Sequence, residues 1–163
     1  VFGDVRPTLM QLAGLSEQAI PWVLALFGVG MIAGNLVGAR LADWHLNKTI
    51  RGILWWGVLV LGAFYWTAHH PILGPINILL IGTLVALGPA LQARLMDVAG
   101  EAQTLAAALN HSAFNAANAL GAWLGGVAIS AGLGWDSTAY VGALFALGGI
   151  AMHSWARRIA RSA

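Results

Sequence analysis

Five long apolar stretches dominate this 163-residue chain, and nothing else in it constrains the fold so strongly. They run over 21–42, 50–68, 72–94, 104–131 and 136–156, and each supplies the roughly 20 residues that a helix needs to cross a hydrocarbon core. Between them lie a charged segment from Asp43 to Arg51, the polar turn His69-His70-Pro71, a charged segment from Arg94 to Glu101, and the glycine turn Gly132-Leu133-Gly134-Trp135-Asp136. Backbone polar groups in lipid must be satisfied within their own segment, so such stretches can only be helices. The sequence therefore predicts an all-α, polytopic helical membrane protein with about five transmembrane helices.

Composition rules out the soluble alternative. Hydrophobic residues make up 59% of the chain and charged residues 9%, against about a quarter charged in a soluble domain. The mean hydropathy is +0.76. A pI near 9.7 accompanies a net charge of only +2, and the cations flank apolar stretches, so the basic balance reports topology and not nucleic-acid binding. No cysteine is present, which excludes disulfides and thiolate metal sites. No cofactor motif is found, and an enzyme is not expected: His69-His70 has no neighbouring ligands, and no carboxylate pair lies within a span.

Short loops force consecutive helices to alternate in direction. With a cytoplasmic C-terminus, Arg40, Lys48, Arg51, Arg94, Arg157, Arg158 and Arg161 share the cytoplasmic side and only Arg6 falls outside. Residues 1–20 then form an external segment following a span that precedes this chain, 21–156 hold the five helices, and 157–163 form a basic cytoplasmic tail. Ser16, ahead of Glu17 and Pro21, is expected to cap the first span.

Three sets of residues stand out. Gly30, Gly34 and Gly38 recur every fourth residue and strip one face of the first span to backbone, as a close helix contact requires. Gly121 and Gly125 are read the same way in the fourth. In that fourth span His111, Asn115 and Asn118 share one face at i, i+4 and i+7. Polar groups at membrane depth need partners, so this face is either a hydrogen-bonding substrate pathway or interhelical glue, and the sequence leaves both open. Asn110 points away from it. Pro89 is expected to bend the third span near its cytoplasmic end.

The first span ends in Gly38-Ala39-Arg40-Leu41-Ala42-Asp43-Trp44-His45-Leu46-Asn47-Lys48. This resembles the cytoplasmic loop signature of the major facilitator superfamily, with Ala39 where a glycine is usual and Trp44 where an arginine is common. Pro7-Thr8-Leu9, Ala13-Gly14-Leu15-Ser16 and Trp22-Val23-Leu24 through Gly28 resemble the region joining spans seven and eight in its bacterial drug:proton antiporter and arabinose-type sugar efflux branch. Asn35 extends that likeness. Asn110-His111-Ser112-Ala113-Phe114-Asn115, with Asn118 and Gly121, is similar to the eleventh span. The resemblance implies the C-terminal half of a secondary active transporter of a bacterial inner membrane, exporting a drug, sugar or metabolite by proton antiport and alternating access. It also implies an N-terminal six-helix half as partner, a substrate path through Asn35, His111, Asn115 and Asn118, and a loop signature of Gly38, Arg40, Asp43 and Lys48. Asp43 would then rest against a helix N-terminus of that other half, or else is a solvated loop charge. The rival to transport is a membrane scaffold or assembly subunit whose glycine and asparagine faces bind partner helices.

Overall fold

A computed structural model of the chain describes residues 17–134 and 137–162. Its described residues are helical throughout apart from short turns, with no strand among them. Helix α1 (Ile20–Thr67) is followed by α2 (Leu73–Gly82), a 3-10 turn at Thr83–Ala86, α3 (Leu87–Val98), α4 (Gln103–Ser130) and α5 (Ser137–Ser162).

At 48 residues α1 would extend about 72 Å if straight, more than twice the ~30 Å hydrocarbon thickness. It is not straight. His45 alone is non-helical, at φ −150° and ψ 72°, and there the chain reverses. The hydroxyl of Thr49 donates to the Leu41 carbonyl at 2.7 Å, satisfying an acceptor that the break leaves without its helical partner. The charged connection expected between Asp43 and Arg51 is thus helical on both sides of a single residue.

Direction follows from which residues meet. Gly30, Gly34 and Gly38 in the first arm of α1 face Leu79, Thr83 and Ala86 in order, so that arm runs parallel to α2 and α3. In the second arm, Trp56 reaches Thr83 and Thr67 reaches Asn77, so this arm runs the opposite way. Asn110 of α4 pairs with Gln92 and Phe114 lies beside Gly88, which makes α4 antiparallel to α3. Gly142 and Gly149 of α5 meet Leu61 and Leu54, antiparallel to the second arm. Five passes alternate.

Three stretches among the described residues, Ile20–Thr67, Leu73–Val98 and Ser137–Ile159, are long and apolar enough to cross a membrane. Helix α4 has the length, 28 residues, but His111 and its asparagines dilute its apolar character. Two small cores hold the bundle at opposite ends: Val23, Phe64, Ala68, Ile78 and Ala139 at one, and Ile50, Leu54 and Ala90 at the other. Large apolar side chains are otherwise exposed, including Trp22 at 76%, Trp44 at 79% and Trp66 at 69%. These indoles sit near the ends of the passes, where headgroups can accept their N–H.

Local chemistry departs from expectation at several points. The N-cap of α1 is Ala19, with no side-chain cap; a 3-10 turn at Glu17–Ala19 leads in, and Ser16 lies outside the described residues, as do Arg6, Trp135 and Asp136. The irregular turn of the third pass is at Thr83–Ala86, one turn ahead of Pro89, because the missing proline N–H cannot bond back to the preceding turn. Helix α5 continues to Ser162, so residues 157–162 extend the helix. The glycine turn after α4 is a Schellman closure: Gly132 has φ +81°, its N–H bonds to Ile129, and Leu133 N–H reaches back to Ala128.

Candidate functional site

The glycine face of α1 brings two backbones together. A Cβ on Gly34 would lie 2.6 Å from the Thr83 Cα and 2.8 Å from its carbonyl carbon, and one on Gly38 would lie 2.5 Å from the Ala86 Cβ. Gly30 sits against the Leu79 backbone in the same way. Only hydrogen fits at these positions, which is the physical content of small residues at a membrane-helix contact. Gly125 is looser, 3.4 Å from the Thr138 methyl, and a Cβ on Gly121 would meet nothing within 4 Å. Among the described residues nothing packs against Gly121, which lines an apolar cavity of about 300 Å³ with Phe27, Asn118 and Phe145.

Thr83 is the node of this contact. Its backbone lies against Gly34, its hydroxyl donates to the Leu80 carbonyl at 2.6 Å, and the Trp56 indole N–H donates to that hydroxyl at 2.9 Å. Both arms of α1 thus close on the 3-10 turn. Sequence reasoning missed this residue. Its one signal was a threonine in an apolar stretch, six residues before Pro89.

With the glycine face turned inward, the other side of the first arm is presented outward. Asn35, Arg40, Asp43 and Lys48 are all exposed, whereas Gly38 is buried. Lys48 borders a cavity of about 450 Å³ held between the two arms, with Trp44, His45 and Trp56. Asp43 makes no ion pair among the described residues, unlike Asp97, which holds Arg94 at 2.8 Å.

The polar face of α4 divides. His111 and Asn115 are exposed, line none of the cavities described here and make no side-chain hydrogen bond among the described residues. Asn118 lies between two cavities, the apolar one above and a larger one of about 760 Å³ lined by the second arm of α1, α3, α4 and α5. Asn35 is not brought to either. Asn110 is buried, lines the larger cavity as well, and its amide donates to the Gln92 side chain across the α3–α4 contact. The structure thus shows one asparagine of this helix as interhelical glue and leaves its neighbours His111 and Asn115 facing out of the five-pass body.

Alternating apolar passes, one packed through its glycine face against the next element's backbone and another carrying an exposed polar face, make this a multi-pass helical membrane protein. The family model described as Major Facilitator Superfamily matches residues 5–163. The chain is 36% identical over 143 residues to the inner membrane transport protein YdhP of Escherichia coli K12, covering 87% of this chain and 37% of that protein. It is 30% identical over 162 residues to the uncharacterized MFS-type transporter YtbD of Bacillus subtilis 168, covering 96% and 41%. Over 145 residues it is 28% identical to the putative transporter AraJ of E. coli K12, covering 88% and 37%. No solved structure matches. The chain belongs to the Major Facilitator Superfamily, and it spans about two fifths of the length of the relatives it matches.

Proposed function

We propose that this chain is the C-terminal part of a secondary active transporter that exports a small molecule, drug, sugar or metabolite, by proton antiport. The observation that carries this reading is the exposed His111–Asn115 edge of α4. Unpartnered polar side chains at membrane depth are unfavourable against lipid, so they call for a second body or a watery path beside them, and an N-terminal six-helix half supplies both. Asn118, Asn35 and Asp43 are the further residues of this chain turned toward that half or its path. Transport then follows from rocking of two halves about a site at their interface. A bacterial inner membrane fits the E. coli relative, an inner membrane transport protein, and a cytoplasmic C-terminus fits the seven-to-one distribution of Lys and Arg.

In the intact transporter, His111→Ala and Asn115→Ala are expected to abolish proton-driven uptake of fluorescent drugs or labelled sugars into inverted vesicles, with membrane expression unchanged. Normal transport in both variants would refute the pathway. Loss of expression together with transport would favour the scaffold reading, which the Asn110–Gln92 pair supports by showing asparagine of this helix used as glue. The chain alone encloses no site between halves, so it is expected to show no proton-driven transport in reconstituted vesicles.

A further inference from the structure

The larger cavity is amphipathic, and its polar end is basic. Leu54, Leu87, Phe114 and Phe145 form its apolar wall, while Arg94, His153, Arg157 and Asn47 gather at one end. Among the described residues no carboxylate lines the cavity. Asp97 holds one Nη of Arg94 from the rim, at 2.8 Å, which leaves the rest of that five-donor guanidinium available.

Two buried polar atoms here have no hydrogen-bond partner among the described residues: His153 Nε2 and Asn47 Oδ1. His153 Nε2 donates or accepts according to the ring's tautomer, whereas Asn47 Oδ1 is an acceptor that needs a hydroxyl or amine. A cationic amine is disfavoured among the arginines. The complementary group is therefore an anion that also carries a neutral hydroxyl donor.

The apolar part fixes what the anion is attached to. From Phe145 to Arg157 the α5 helix runs 12 residues, about 18 Å, close to the ~15 Å depth of one leaflet. Met152 and Ala156, which also line the cavity, are exposed, so it opens at the apolar side of the bundle. We infer that this cavity is a site for an acidic phospholipid with a hydroxylated headgroup, such as phosphatidylglycerol. Its phosphate sits between Arg94, Arg157 and His153, its headgroup hydroxyl bonds to Asn47, and an acyl chain lies along the apolar wall. Basic recesses between membrane helices bind acidic headgroups by this chemistry.

The test is native mass spectrometry of the delipidated full chain, titrated with phosphatidylglycerol, with phosphatidylcholine of the same acyl chains, and with inorganic phosphate. Phosphatidylglycerol is expected to bind at least about tenfold more tightly than phosphatidylcholine, with roughly fivefold lost for each arginine neutralised in Arg94→Gln and Arg157→Gln. Arg40→Gln, which removes a cation that does not line the cavity, is expected to leave the preference intact. Met152→Trp keeps every charge and narrows the sideways opening, and is expected to weaken phosphatidylglycerol binding, so the inference stays testable if the arginine variants fail to fold. Equal binding of the two lipids, a preference that survives loss of both arginines, or unchanged binding to Met152→Trp would overturn it. So would inorganic phosphate displacing the lipid at millimolar concentration, which would mark a site for free anions.

Discussion

Replacing Gly34 by alanine puts the backbone contact at the centre of the fold to a direct test. The new Cβ would lie 2.6 Å from the Thr83 Cα, and restoring an ordinary contact of 3.4 Å asks for about 0.8 Å of movement between α1 and the 3-10 turn. Thr83 cannot yield by changing rotamer, because the atoms in the way are its own backbone. A radial gap of 0.5–1 Å forfeits roughly a quarter to a half of the dispersion energy of the atoms it separates, and overpacking of this kind typically costs about 1–3 kcal/mol. Helix propensity runs the other way, since alanine is favoured over glycine by about 0.5–1 kcal/mol. Sterics should win, leaving a net loss of about 1–2 kcal/mol, or roughly 2–8 °C in melting temperature for a chain this size. Gly28→Ala provides the control. It lies on the same arm with nothing within 4 Å of its Cβ, so it gains propensity without penalty and should melt at or slightly above the parent. Intrinsic tryptophan fluorescence during a thermal ramp in detergent measures both. A Gly34→Ala chain as stable as the parent, or equal losses at Gly28 and Gly34, would refute the assignment of close backbone contact.

Other variants probe the remaining joints. Gly132→Ala forces an L side chain to φ +81° in the Schellman closure and should cost about 1–2 kcal/mol by thermal unfolding. Asn110→Leu should cost about 0.6 kcal/mol and at most about 1.7; in a double-mutant cycle with Gln92→Leu the two losses should be less than additive, and strict additivity would mean that the amide pair contributes nothing. Thr49→Val removes the hydroxyl that caps Leu41 at the reversal and is expected to lower stability by about 0.5–1.5 kcal/mol.

What the sequence discloses and what it hides divide along physical lines. Helical class was legible because lipid permits little else to an apolar stretch of 20 residues. Close backbone approach was legible at Gly30, Gly34 and Gly38, where three glycines repeat on one face, whereas the spacing of Gly121 and Gly125 does not say which neighbour approaches them. The reversal at His45 was hidden: Asp43, Asn47 and Lys48 read as a loop by composition, yet the turn is confined to one residue and the polar side chains ride on helix ends. Thr83 was hidden for a related reason, because a 3-10 turn in an apolar segment leaves almost no mark beyond a downstream proline. Periodicity placed His111, Asn115 and Asn118 on one face of α4. It could not reveal that only Asn118 would meet a cavity formed by this chain, since that depends on how α4 is rotated against α3 and α5.

The single-residue reversal at His45 also bears on biogenesis. Neither arm of α1 has slack to sample an orientation of its own: once the first arm is committed across the bilayer, the second must return from the face where Asp43 and Lys48 are held. The translocon would thus receive the two arms as one hairpin, and a topological error could only be made, or corrected, for both together.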